Sequence, residues 1–153
     1  MKPTPPGWPR ASSSLGYERA AEAIDWLGRA FGFEVHTKIL GKDGRIEHSE
    51  LTFGGAVFMV SDPKPDKFDE RRAPSQIGGV NTQSIFVYVD DVEAHCARAR
   101  AAGAKIVHEL TTTDYGDGYW VDRGYGCLDL GGHSWYFAER VSTSPEQVKV
   151  SAR

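Results

Sequence analysis

From Arg19 to Phe31 the apolar positions fall at Ala20, Ala23, Ile24, Leu27, Ala30 and Phe31. Steps of three and four are the spacing of a helix with one buried face, and Gly32 stands where such a helix stops. ASSSLGY, ahead of it, is short enough for a strand. FEVHTKIL, IEHSELTF and AVFMVSD follow, each of strand length. The DG of GKDGR supplies a hairpin turn between the first two, and Gly54-Gly55 turns the chain between the last two. A charged, proline-containing loop covers residues 62–79, a length typical of functional or mobile segments. The order then begins again. NTQSIFVYV is a strand, DDVEAHCARARAAG a helix with Asp90 or Asp91 as N-cap and Gly103 as stop, and AKIVHEL a strand. Two more strands, roughly 118–129 and 133–139, join around Gly131-Gly132.

Each half therefore reads βαβββ. AAEAIDWLGRAFGFEV and DVEAHCARARAAGAKIV occupy equivalent places about 70 residues apart, a period too long for a solenoid, so the chain is read as two copies of one module. The expected fold class is α+β. The boundaries are a disordered N-terminal arm at 1–10, with four prolines in ten residues, a first module with its connecting loop at 11–79, a second module at 80–140, and a polar tail at 141–153.

Composition narrows the partners. The chain has 153 residues, a formal net charge of −3 and a pI near 5.9. A mildly acidic balance argues against a general nucleic-acid binder, which carries a basic stripe. No run reaches the roughly 18 apolar residues of a membrane span, and no signal-peptide core follows Met1. Cys96 and Cys127 form neither a disulfide framework nor a CxxC pair. A cytoplasmic protein with no nucleic-acid or membrane partner is expected.

Four phrases, AIDWLGRAFGFE, GRIEHSELTFGG, FVYVDDVEAH and DRGYGCLDLGGHSW, stand in this order within about residues 11–140. On them the chain resembles the vicinal oxygen chelate superfamily, the group of glyoxalases, bleomycin-resistance proteins and ring-cleaving dioxygenases, and within it the glyoxalase-like branch. The resemblance implies a curved, cup-shaped mixed sheet with the helices on its outer face. It also implies one metal ligand on each of four cup-lining strands, usually His or Glu. Those places fall here on Ser12, Met59, Ser84 and Tyr136. The divalent ions of such enzymes need imidazole or carboxylate donors. A slip of one residue gives Ser13, Phe58 or Val60, Gln83 or Ile85, and Trp135 or Phe137, which restores no ligand set. No metal and no other cofactor is expected.

Strand alternation extends these four places into a surface. With Ser12 facing the cup, Ser14 and Gly16 follow, and Leu15 and Tyr17 face the helix. With Met59 inward, Val57 joins it and Phe58 and Val60 enter the core. Ser84, Phe86 and Tyr88 line the cup, leaving the stripe Ile85, Val87 and Val89 to the core. On the last strand Ser134 and Tyr136 point in and Trp135 and Phe137 pack behind. Pairing across Gly131-Gly132 puts Tyr125 and Cys127 on the cup side, with Arg123 and Tyr119 following in the absence of a bulge. Trp120 belongs to the rim. Rings opposite small hydroxyl residues suit a flat or partly apolar ligand.

Other residues carry two readings each. Arg123 either clamps a carboxylate or phosphate or pairs with Asp122 or Asp129. His48 and Glu50 share a strand face, as an acid/base pair, half of a metal site, or a bonded strand surface. His133 suits hydrogen bonding in the hairpin. Cys96 reads as a small buried residue and Cys127 as a cup residue with no base placed to activate it. Asp117 and Asp122 either attract a cation or sit in an exposed loop. Two functions follow: a binder of a small organic molecule that lacks the usual metal site, or a lyase or isomerase of the glyoxalase type working without a metal or with a displaced one. A homodimer is expected, because an isolated βαβββ module leaves a sheet edge open.

Overall fold

A computed structural model describes residues 1–64, 71–116 and 118–143. Its elements run β1 (Ser13–Gly16), α1 (Ala20–Phe31), β2 (Glu34–Leu40), β3 (Ile46–Phe53), β4 (Ala56–Ser61), β5 (Ser84–Tyr88), α2 (Val92–Ala101), β6 (Lys105–Asp114), β7 (Val121–Leu128) and β8 (Ser134–Ser142). This is an α+β fold of two βαβββ modules. The strands form two four-stranded sheets, ordered β1-β4-β3-β2 and β5-β8-β7-β6. In each, the first strand runs parallel to the fourth and the other pairs are antiparallel. The chain divides into two compact units, Met1–Val80 with Leu130–Gly132, and Asn81–Asp129 with the described residues from His133 onward.

In the first unit the apolar stripe of α1 buries Ala20, Ala23, Ile24, Leu27, Ala30 and Phe31, together with Trp26, which packs edge-on to Phe31 at 5.1 Å. Leu15, Leu51, Phe58 and Val60 supply the buried side of the sheet. Gly32 takes the left-handed conformation, φ 77°, and its N–H closes the helix on the Gly28 carbonyl at 3.0 Å. The start of α1 is tied from a distance. Arg19 offers no side-chain cap, and Asp62, just beyond β4, accepts from the N–H of Ala20 at 3.0 Å and of Ile46 at 2.7 Å. The second unit uses the same device. Glu139 of β8 accepts from the N–H of Val92, the first residue of α2, at 3.1 Å, while Asp91 caps Ala94 N–H at 2.9 Å.

The second core is built around the β7–β8 hairpin. Trp135, Phe137 and Tyr125 lie on its helix side with 1% exposure or less. Trp135 stacks on Phe137 at 5.9 Å, and Phe137 on Tyr125 at 5.5 Å. His95 of α2 packs over Phe137 at 4.2 Å, and its Nδ1 shares a hydrogen bond of 2.7 Å with the Tyr125 hydroxyl. Asp129 fixes the turn. Its carboxylate accepts from His133 N–H at 2.9 Å and from the Trp135 indole N–H at 2.9 Å, while its own N–H donates to the His133 carbonyl at 3.1 Å.

Some bounds differ from the sequence reading. β6 continues to Asp114, past the expected Leu110, and β8 to Ser142, past Glu139. The 62–79 loop contains a short 3-10 turn, Pro74–Ile77, and its residues 65–70 lie outside the described ones, as do 144–153 of the tail. The first twelve residues hold no helix or strand, but Trp8 N–H closes a turn on the Pro5 carbonyl at 3.0 Å.

Trp135 combines full burial, ring stacking and a bonded indole. Trp135→Ala is expected to cost about 3–5 kcal/mol, as large-to-small core changes do, read as a lower urea midpoint at unchanged slope. Its neighbour Tyr136, on the opposite face, should cost about 1 kcal/mol or less on truncation, since it is outside that core.

Candidate functional site

The face of the second sheet turned away from α2 is lined by rings. In the parallel β5–β8 pair, Ser84 sits beside Ser134, Phe86 beside Tyr136 and Tyr88 beside Ala138. Phe86 and Tyr88 remain 53% and 48% exposed, whereas Val87 between them is buried. The Phe86 ring stacks on Tyr136 at 5.5 Å with 20° between planes, and meets Tyr88 edge-on at 5.0 Å. Next to β8, strand β7 contributes two glycines to this face. A Cβ on Gly124 would lie 2.7 Å from Tyr136 Cε1, and one on Gly126 would lie 2.8 Å from His108 Cδ2. Side chains of the flanking strands lie flat over β7 because β7 has no side chain there.

One end of this wall is charged. Asp122, 6% exposed, accepts hydrogen bonds from the Arg140 guanidinium and from the Tyr88 hydroxyl, the latter at 3.2 Å. Arg140 also donates to the Tyr88 oxygen. Its Cζ stands 5.1 Å from the Tyr88 ring centroid and 4.8 Å from that of Trp120. Trp120 thus joins the wall at the base of the β6–β7 hairpin, with Tyr115 and Tyr119 packed against it and half-exposed. Burial pushes the Tyr88 phenol above its ordinary pKa, helped by the Asp122 charge, and burial does the same for Tyr136. Both phenols stay protonated near neutrality and serve as hydrogen-bond donors.

Three expected cup residues lie elsewhere. Tyr125 and Cys127 have no exposed surface and face α2, and Arg123 lies on the same side, bonded to Thr112 at 3.3 Å and to Glu93 of α2 at 3.5 Å. The cause is the turn. A two-residue turn at Gly131-Gly132 would align Cys127 with Tyr136. The loop instead holds three residues, 130–132, closed by Asp129 and His133, and Cys127 aligns with Trp135 and Tyr125 with Phe137. A slip of one residue exchanges the faces of a strand. Asp122 therefore belongs to the open face rather than to an exposed loop, and its partner is Arg140, not Arg123. Arg140 shares the parity of Tyr136 and was legible had β8 been carried one residue further. Asp117 lies outside the described residues.

The corresponding face of the first unit is polar. Ser14, rather than Ser12, sits beside Met59, and Glu50 flanks Met59 on its other side. Arg71 donates to the Ser14 hydroxyl. His48 Nε2 and Glu50 Oε1 are 3.0 Å apart, and this bond, aided by one from Thr37, holds the Glu50 carboxyl below its usual range. In the second unit Tyr136 is flanked by Phe86 rather than by Ser84. Hydroxyls, a thioether, a phenyl ring and a phenol held protonated do not fit a divalent ion. Among the described residues no three His, Cys, Asp or Glu side chains gather closely enough to hold one.

A family model of the Glyoxalase/Bleomycin resistance protein/Dioxygenase superfamily matches residues 14–137. The chain belongs to this superfamily. It is 32% identical over 134 residues to an uncharacterized protein of Mycobacterium bovis, covering 87% of this chain and 84% of that one. TioX from Micromonospora sp. ML1 has a similar structure, with 33% identity, a TM-score of 0.65, and coverage of 87% of this chain and 100% of TioX. TnmS3 of Streptomyces sp. CB03234, described as an antibiotic binding protein, shares the fold at a TM-score of 0.60 and 18% identity, over 86% of this chain and 96% of TnmS3. Superfamily membership accounts for the doubled βαβββ module and leaves the chemistry to the residues on its faces.

The two thiols offer a direct check on the assignment of faces. Burial pushes Cys127 up to about 12 and raises Cys96 as well. Neither should react with a disulfide reagent such as DTNB at pH 8 in the folded protein, and both should react once urea unfolds it. Rapid labelling of the folded Cys96→Ala variant, in which Cys127 is the remaining thiol, would place Cys127 on the open face after all.

Proposed function

We propose that the chain binds a small, planar, partly apolar organic molecule on the aromatic face of the second module, without the metal ion of its enzymatic relatives. The observation that carries this is the exposed Phe86 ring stacked on the half-buried Tyr136, which itself lies over Gly124. Rings held flat and open to solvent have unsatisfied faces, and a further ring laid on them gains burial and stacking of about 0.5–1.5 kcal/mol per pair beyond area. Tyr88, Trp120 and Ser84 complete the surface, and the Tyr136 hydroxyl is a donor for a ligand oxygen or nitrogen. Met59 belongs to the polar face of the first unit, and Ser12 stands just before β1 with its hydroxyl buried. Membership of a superfamily that includes bleomycin-resistance proteins, and the likeness to an antibiotic binding protein, support the reading.

A second reading, a lyase or isomerase acting without that metal or with a displaced one, rests on Glu50. Its carboxylate is held ionised by His48 and orients that imidazole, the more exposed of the two and the group placed to exchange a proton with a ligand. We further propose that the chain works as a homodimer in the cytoplasm. Each four-stranded sheet has an outer strand on either side with no further strand of its own sheet beyond it among the described residues, an edge that a second copy could cover. The two free, buried cysteines suit a reducing compartment, and among the described residues no helix is long and apolar enough to cross a membrane.

Phenanthridine serves as a planar probe. Its titration should quench tryptophan fluorescence through Trp120, and Tyr136→Ala should weaken binding about tenfold, the equivalent of about 1.4 kcal/mol, while leaving the melting temperature within a few degrees. Binding unchanged in Tyr136→Ala would remove the aromatic face from consideration. Addition of EDTA should change neither the melting temperature nor the affinity; loss of either would restore a metal to the site. Light scattering should give a mass near twice 16.8 kDa.

A further inference from the structure

The arrangement around Arg140 has the composition of a receptor for a planar cation. The guanidinium lies 4.8 Å from the Trp120 ring centroid and meets Tyr88 at the hydroxyl end of its ring, 5.1 Å from that centroid. Its edge meets a carboxylate, Asp122, whose side chain is only 7% exposed, and the Tyr88 hydroxyl completes the hydrogen bonding. A ring face, a desolvated anion opposite the N–H edge and a phenol oxygen beside it are the features that recognise amidinium and guanidinium groups. The occupant is the protein's own side chain. Arg140 comes from the far end of β8 and stands 31% exposed on a long flexible stem, so that its charged end can rehydrate when another cation takes over its bonds to Asp122.

The slot is also continuous with the aromatic face. Trp120, Arg140, Tyr88, Phe86 and Tyr136 form one ladder of contacts, each 4.8 to 5.5 Å from the next. A ligand ring on Phe86 and Tyr136 therefore has a neighbouring position for a planar cationic group. The geometry points to a self-occupied site: the Asp122–Tyr88–Trp120 slot binds the amidinium or guanidinium group of a planar ligand, and Arg140 fills it when no ligand is present. The exchange is charge-neutral within the slot, since one cation leaves Asp122 as another arrives, so the buried carboxylate is never left unpaired. The inference rests on the proposed planar-ligand face, and adds to it the charge and shape of the group bound at its end.

Benzamidine and its neutral isostere benzamide test this by calorimetric titration of the full chain. Wild-type protein should bind benzamidine weakly, because Arg140 competes from within the molecule. Arg140→Ala should bind it at least tenfold more tightly with no matching gain for benzamide, and Asp122→Asn in the Arg140→Ala background should abolish that gain. Where Arg140→Ala folds poorly, Arg140→Lys keeps a positive charge near Asp122 but withdraws the planar group from the rings, and should also bind benzamidine several-fold more tightly than wild type. Benzamidine should in addition raise the melting temperature of either variant more than that of wild type. Equal affinities of wild type and both variants, or an equal gain for benzamide, would overturn the slot. If phenanthridine still binds through Tyr136 in that case, the planar-ligand face stands and only the cation slot falls. If phenanthridine does not bind either, both fall together.

Discussion

The arrangement of the second module depends on one carboxylate at a turn. Asp129 accepts from the His133 N–H and from the Trp135 indole while its own N–H closes the loop on His133. These bonds fix a three-residue loop, and the loop fixes the register of β7 against β8. From that register every residue on both strands receives its face. Trp135, Phe137 and Tyr125 go to the helix side and stack there; Tyr136, Gly124, Asp122 and Arg140 go to the other. A loop of two residues would leave the sequence of β7 unchanged and turn it over, exposing Tyr125 and burying Gly124. The buried carboxylate thus acts as a register pin, in a position where its desolvation is offset by several donors.

The open face follows from what β7 omits. Aromatic rings on neighbouring strands normally stand up from a sheet. Here Tyr136 lies over Gly124, and the side chain of His108 comes within 2.8 Å of the position a Gly126 Cβ would take. Glycine weakens a strand by removing a packing side chain and adding backbone freedom. The loss is offset by ring contact with the strand backbone, and the result is a flat aromatic surface where an ordinary strand would present a row of separate side chains. Binding surfaces built in this way gain rigidity, because a ring pressed on backbone has few alternative rotamers to lose when a ligand arrives.

Much of the fold was legible in the sequence because it is written in periodicity. The helical spacing of α1, the glycine stops, the β-branched stripe Ile85, Val87, Val89 and the repeated order of elements are local signals, and each element appears close to where they place it. The open-face placement of Phe86, Tyr88 and Tyr136 was legible for the same reason, since alternation along a single strand needs no knowledge of its partner. Tyr125, Cys127 and Arg123 failed because their faces depend on a pairing register, which the GG dipeptide mis-stated by one residue. Asp122 and Arg140 failed for a related reason. They meet across two strands with a register shift beside them, between Val121 and Asp122, and no spacing along the chain encodes such a meeting. The carboxylate ties from Asp62 to Ala20 and from Glu139 to Val92 are equally non-local, and neither residue carries a cap signature of its own.

The two modules share an architecture and differ in what they display. Both tie the start of the helix to a carboxylate in or just after the fourth strand, and both bury one face of the sheet against that helix. Because most of that common core comes from the helix-facing parity, the opposite parity has more freedom to diverge. In the first module it carries Ser14, Glu50, His48 and Met59, a surface of hydroxyl, carboxylate, imidazole and thioether. In the second it carries phenyl and phenol rings with one compensated ion pair. Alternation along a strand separates the positions packed against the helix from those on the open face. A superfamily of such modules can therefore keep its core while the open-face residues change, and the residues to read for function are those of one parity on each strand.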